Sequence, residues 1–235
     1  SERDMIVELD QSQEKLLIDH TMQIYELLTR HSNARPRHLS YVLDNSGLEL
    51  FADLAFLDVI SHFKLVDHVT VHCKYHPTFV SDVIQEDIEH ILQWMEQQTN
   101  QLKSLALRWR NWLTSKANNV SWSVAENYYW NHYSAFWDDM PKELKQELET
   151  STLVIIKGDM NTRRLHGDLR WPFTANTSEI ASYLQANLLL IRTLKSETAS
   201  GLLPEQLAKL SKDPSWLWSG EYGVIHFIAN LHRSK

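Results

Sequence analysis

The sequence has a single cysteine, Cys73, and only six glycines in 235 residues. One cysteine excludes an internal disulfide framework and suits a reducing compartment. None of the glycines falls in a Gly-x-Gly-x-x-Gly or Walker arrangement, so the common nucleotide-cradling loops are missing. No apolar run reaches the length of about 18 residues that a spanning helix needs, and the N-terminal stretch is too charged for a signal peptide. Positive charge is also scarce: 23 Lys and Arg stand against 30 Asp and Glu, for a net charge of −7 and a pI near 5.9. That balance argues against a nucleic-acid partner, and any contact with phosphate must be local. The chain opens Ser1-Glu-Arg-Asp without an initiator methionine, so it is expected to be part of a longer protein. Its length suits one large domain in a cytoplasmic or nuclear protein without a membrane partner.

What is present is an alternation of short apolar runs with amphipathic stretches. Strands are expected over 38–43, 66–73, 153–156, 188–195 and 222–228. Helices are expected over 10–31, 48–63, 85–116 in two pieces, 141–149, 178–184 and 204–210. Residues 120–140 concentrate Trp122, Tyr128, Tyr129, Trp130, Tyr133, Phe136 and Trp137, read as a compact excursion packed on the sheet or as a lid. The pattern predicts a three-layer α/β/α fold with a mostly parallel sheet.

In such sheets ligands bind outside the carboxyl ends of the strands, and here those ends are polar. The run Leu153-Val-Ile-Ile156 stops at Lys157-Gly158-Asp159, where Asp159 reads as an N-cap and Lys157, Arg163 and Arg164 gather positive charge suited to a phosphate. An ordinary strand-to-helix turn is the alternative reading. Asp44, Asn45 and Asp82 offer oxygen ligands only, suiting a hard cation, although Asp44-Asn-Ser-Gly47 is also a generic turn composition. Asp82 is expected in a loop outside the core. His72, Cys73 and His76 do not make a zinc site, since His72 and Cys73 point to opposite faces of a strand. Asp53 and Asp58 are expected on solvated helix faces.

Taken together, Asp44-Asn-Ser-Gly-Leu-Glu49, Phe79-Val-Ser-Asp82, Lys157-Gly-Asp-Met-Asn161 with Arg163, Gly167-Asp-Leu-Arg-Trp-Pro172 and Arg192-Thr-Leu-Lys195 resemble the metal-dependent damage-control phosphatase family. The Arg-Thr-x-Lys element is similar to that of the eukaryotic subgroup acting on sugar phosphates. The resemblance runs from about residue 36 onward, and implies that the α/β domain spans residues 36–235, preceded by the end of a helical region in residues 1–35. It implies that Asp44, Asn45 and Asp82 hold a divalent metal (Mn²⁺, Co²⁺, Ni²⁺ or Mg²⁺). It further implies that Glu49, Asp159, Met160, Asn161, Arg163 and Lys195 bind substrate, with Asp44, Asp82, Asp159 and Lys195 serving catalysis. The implied activity is hydrolysis of small sugar phosphates such as fructose 1-phosphate or fructose 6-phosphate. Transfer of a methyl group from S-adenosylmethionine to a protein carboxylate, and a binding module without turnover, are the alternatives. Thr162 and Thr78 stand where Tyr and Trp are frequent in the family, and these departures bear on substrate shape.

Overall fold

A computed structural model of the protein describes residues 13–30, 36–114 and 120–230. The short apolar runs form strands: β1 (Leu16–Asp19), β2 (His38–Val42), β3 (His68–Cys73), β4 (Ser121–Glu126), β5 (Leu153–Lys157), β6 (Leu188–Thr193) and β7 (Gly223–Ile228). Between them lie α1 (Thr21–Thr29), α2 (Leu48–His62), α3 (Gln85–Glu96), α4 (Asn100–Thr114), α5 (Phe136–Asp139), α6 (Lys142–Thr150), α7 (Asp159–Leu165), α8 (Thr177–Ile180) and α9 (Pro204–Leu210). The seven strands make one sheet in the order β1-β7-β6-β5-β2-β3-β4. All neighbours are parallel except β6 and β7, so β7 and its partner β1 run against the other five.

Period-2 alternation assigns each strand residue to a face. Leu153 and Ile155 of β5 join Leu39, Tyr41, Val69 and Val71 beneath α2, α3 and α4, whereas Val154 and Ile156 join Leu188 and Leu190 beneath the segment from Tyr129 to Leu148 and α7. Both sheet faces are thus covered, as a parallel sheet requires. The expected three-layer α/β/α architecture is present.

Three local expectations are corrected. The helix expected over 10–31 is instead β1 followed by α1 for the residues described, with residues 10–12 and 31 outside them. Leu16-Leu-Ile18 is long enough to pair with the open edge of β7, and that pairing overrides the helical spacing of the apolar positions. It also makes residues 16–19 part of the same sheet as the rest. In the aromatic segment, Ser121-Trp-Ser-Val-Ala-Glu126 pairs with β3 as an edge strand, while Trp122, Tyr129, Trp130 and Phe136 are buried in the two cores. Asp53 and Asp58 are buried rather than solvated. Asp58 accepts two bonds from Arg108, at 2.7 and 2.6 Å, and one from Trp109 Nε1 at 2.9 Å, and so ties α2 to α4.

Two buried histidines, His72 and His166, and two half-buried ones, His38 and His226, are expected to make the fold sensitive to acid. Burial pushes His38, His166 and His226 down to about 4 and His72 to about 3. The unfolded chain, with imidazoles near 6.5, therefore binds more protons than the native one between pH 6.5 and 4, so this part of the stability is present above pH 6.5 and is lost as pH falls. Asp44, raised to about 6, and Asp53, also raised by burial, act with the opposite sign as pH falls toward 3.8, but are two groups against four. We expect the urea midpoint to fall between pH 7 and pH 5, with a slope approaching roughly 1.4 kcal/mol per pH unit for each histidine protonated on unfolding. A midpoint that does not change over this window would contradict the neutral, buried state of these rings.

Candidate functional site

The site begins with a stitch between two strand ends. Beyond β2, the Asp44 carbonyl accepts from Val83 N (3.1 Å) and Ser46 N donates to Ser81 O (2.8 Å); beyond β3, Lys74 N donates to Val83 O (3.1 Å). Isolated bridges pair Asn45 with Asp82 and Lys74 with Ile84. The chain from Lys74 to Ile84 is therefore folded back beside the end of β2, which carries Asp82 to Asp44 and Asn45.

The second wall comes from β5, the other neighbour of β2. Gly158 caps α7 with φ of +89°, and a Cβ there would fall inside the Asp44 carboxyl group, so glycine is what lets the two turns touch. Asp159 is the first residue of α7 and not its cap. Its Oδ1 accepts from Arg192 at 2.7 Å, Ser196 Oγ at 3.2 Å and Lys195 N at 3.4 Å. Arg192 is buried and also donates to Thr198 O at 2.8 Å, making it a structural arginine that fixes Asp159. The Lys195 side chain is exposed at the rim and has no ion-pair partner among the described residues.

Between these walls lies a cleft of about 630 Å³ at the carboxyl ends of β2, β5 and β6, where the chain switches from one side of the sheet to the other. Asp44, Asn45, Glu49, Asp82, Asp159, Met160, Arg163 and Lys195 line it, together with an apolar flank of Leu16, Ile191, Val224 and Ile225. Asn161 is the expected site residue that does not line it. It is 1% exposed and its Nδ2 donates to Lys157 O at 2.9 Å and Leu43 O at 3.3 Å, bracing the strand ends from below. Arg164 also leaves the expected positive cluster. Its guanidinium is buried against the Tyr129 and Phe136 rings and donates to Ser134 O. Arg163 stays in the cleft, held by two 2.7 Å bonds to Asp168. None of the residues from Trp122 to Trp137 lines the cleft; Trp122, Tyr129, Trp130 and Phe136 serve packing, whereas Tyr128, Tyr133 and Trp137 are exposed.

The electrostatics are dominated by crowded carboxylates. Burial, then the nearby Glu49 and Asp82, push Asp44 up to about 6 against the pull of Lys74 and Lys157. Lys157 Nζ lies 3.0 Å from Asp53 and 3.1 Å from Glu49; burial alone would lower it, but the two carboxylates outweigh that and hold it above its ordinary value. Asn45 Nδ2 donates at 2.9 Å to both Asp44 and Glu49, and Ser81 Oγ donates to Asn45 Oδ1 at 2.8 Å. Asp53, Lys74, Ser81 and Ser196 escaped the sequence reading. For Asp53 a signal existed, since Glu49 and Asp53 are four apart and share a helix face.

Among the described residues no three His, Cys, Asp or Glu side chains are grouped as a metal site. The set formed by Asp44, Asn45 and Asp82 has instead two carboxylates and one amide, all oxygen donors, and the surplus negative charge around Asp44 fits a hard divalent cation.

The fold and cleft define an α/β protein with a charged cleft at a strand switch. A sequence match to the damage-control phosphatase ARMT1-like domain covers residues 2–210, and the chain belongs to that family. It is 32% identical over 236 residues to damage-control phosphatase ARMT1 of Rattus norvegicus, covering 97% of this chain and 53% of the relative. It is 34% identical over 209 residues to the Xenopus laevis protein of that name, covering 83% and 44%, and 27% identical to the Homo sapiens one, covering 92% and 50%. The chain thus spans about half the length of these relatives.

Asp82 has a structural duty that its loop position conceals. It is 4% exposed, pairs with the equally buried Lys74 at 2.7 Å, and accepts from Thr78 N and Phe79 N at 3.0 and 2.9 Å. Asp82→Ala is therefore expected to cost about 3–5 kcal/mol by leaving a buried lysine unpaired, visible as a lowered midpoint in metal-free denaturation. Unchanged stability would show that the pair does not exist in solution.

Proposed function

We propose that this chain is the catalytic portion of a metal-dependent phosphomonoesterase of metabolite damage control, hydrolysing small sugar phosphates such as fructose 1-phosphate or fructose 6-phosphate. The observation that carries this reading is the pairing, in one cleft, of oxygens at Asp44, Asn45 and Asp82 with the Lys195 ammonium, which has no ion-pair partner among the described residues. A phosphate monoester has close to two negative charges and needs both a cation and fixed positive side chains.

In this reading Asp44, Asn45 and Asp82 hold a divalent ion, Mn²⁺, Co²⁺, Ni²⁺ or Mg²⁺. When bound, the ion supplies Lewis-acid polarisation of a phosphoryl oxygen and a water of lowered pKa. Lys195 neutralises the other phosphoryl oxygens as charge builds on them. Arg163 adds positive charge on the same flank, reduced by its bond to Asp168. Asp159, fixed by Arg192, presents its second oxygen to the cleft, where it accepts a hydrogen bond from a substrate hydroxyl. Glu49, whose oxygens are engaged by Asn45 and Lys157, adds negative charge on the opposite wall, and Met160 packs against the sugar carbons. The cytoplasmic or nuclear setting expected from the sequence accords with Cys73, a buried thiol pushed up to about 12.

The test is phosphate release from a panel of phosphate esters, abolished by EDTA and restored by Mn²⁺, Co²⁺ or Ni²⁺. Methyl incorporation into a protein substrate in the presence of EDTA, with no ester hydrolysed, would instead establish the methyltransferase alternative. Lys195→Ala is expected to cost about 2–4 kcal/mol in kcat/KM, the range for losing one preorganised electrostatic partner. Its exposed side chain makes no hydrogen bond or ion pair among the described residues, so the melting temperature stays near that of the parent. Unchanged kinetics would remove Lys195 from the phosphate site.

A further inference from the structure

The proposed cation site already contains a cation. Lys74 follows directly on β3, and both it and Asp82 are 4% exposed, with Nζ 2.7 Å from Asp82 Oδ1. The contact is not the accident of a flexible side chain. Lys74 is held by its backbone bond to Val83 O and its bridge to Ile84, and Asp82 by the bridge to Asn45 and by two backbone donors on Oδ2. Asp82 thus offers one oxygen to backbone N–H groups and the other to Lys74. Nothing else among the described residues forms an ion pair with either partner.

We infer that Lys74 is a positioning residue that serves as a resident counter-ion of the cation site, holding Asp82 oriented when no divalent ion is bound and limiting the affinity when one is. This rests on the reading of Asp44, Asn45 and Asp82 as cation ligands. Two carboxylates this close to each other and to Glu49 repel one another and are costly to bury without a positive charge. A fixed ammonium supplies that charge and keeps the ligands in place. The same ammonium repels an arriving dication and shares an oxygen with it, so it trades affinity for a site that is already assembled. Lys157, paired with Asp53 and Glu49, plays the corresponding structural part on the β5 side without touching a proposed ligand.

The experiment is Mn²⁺ titration by calorimetry of the parent chain and of Lys74→Met, with melting temperatures measured in EDTA and in excess Mn²⁺. Lys74→Met keeps the length and removes the charge. The expected result is a clearly lower melting temperature in EDTA, Mn²⁺ binding tightened by about tenfold or more, and a larger rise of melting temperature on adding Mn²⁺ than in the parent. A lower melting temperature with Mn²⁺ affinity unchanged or weakened would overturn the inference, because that is what a purely structural lysine gives. A parent chain that binds no Mn²⁺ would overturn the cation-site reading itself, and the inference with it. Should Lys74→Met fail to fold, the parent decides alone: a buried ammonium bound to Asp82 gives a slowly exchanging ¹⁵Nζ signal. Its shift on addition of Mg²⁺ supports the inference, and an Nζ signal that ignores saturating Mg²⁺ overturns it.

Discussion

Four carboxylates, those of Asp44, Glu49, Asp53 and Asp82, are packed at the ends of β2 and β5 with two buried or half-buried lysines among them. This charge imbalance is the constraint on which the rest depends. The parallel pairing of Val42 with Ile156 places the two acidic turns side by side, and Gly158 removes the one Cβ that would hold them apart. Lys157 and Lys74 are then obligatory, because carboxylates at such spacing cannot all remain ionised out of water without partners. Even with both lysines in place Asp44 is left without a lysine in contact among the described residues, and it lines the cleft together with Glu49 and Asp82. This acid surplus, opening on solvent at the carboxyl edge of a parallel sheet with a rim lysine beside it, is what the proposed cation and phosphate site rests on.

The sheet was legible in the sequence because strands buried on both faces read as unbroken apolar runs, and Leu153–Ile156 and Leu188–Ile191 are of that kind. The rule that ligands collect at the carboxyl ends then located the cleft from the polar residues that follow those runs. Edge elements were less legible. β1 borrows its conformation from β7, and the alternation of Trp122 and Val124 in β4 was hidden by the aromatic density around it. Neither can be judged without knowing which strand edge is open, which is a property of the assembled sheet.

Within the site, charge type was legible but orientation was not. Arg163 and Arg164 are adjacent and alike in composition, yet on a helix of 3.6 residues per turn they point about 100° apart, one into the cleft and one into the aromatic core. Asn161 likewise lies in the expected motif but turns inward to bind two carbonyls. Lys74 had no motif around it at all. It became visible only through the backbone bridges that fold residues 74–84 against β2, a contact that no spacing in the sequence predicts.

The flank formed by Leu16, Val224 and Ile225 gives the cleft an unusual dependence. Those residues belong to β1 and β7, the pair that closes the sheet on one side, and β1 is four residues long with a partner on one edge only among the described residues. Short edge strands open at a small fraction of the global unfolding free energy, and amides in them exchange with solvent through local fraying. One wall of the ligand site is thus drawn from the least anchored unit of the sheet, while the charged wall is drawn from its centre. Whatever holds the two walls together opposes that fraying, so the shape of the cleft is coupled to the pairing of β1 with β7.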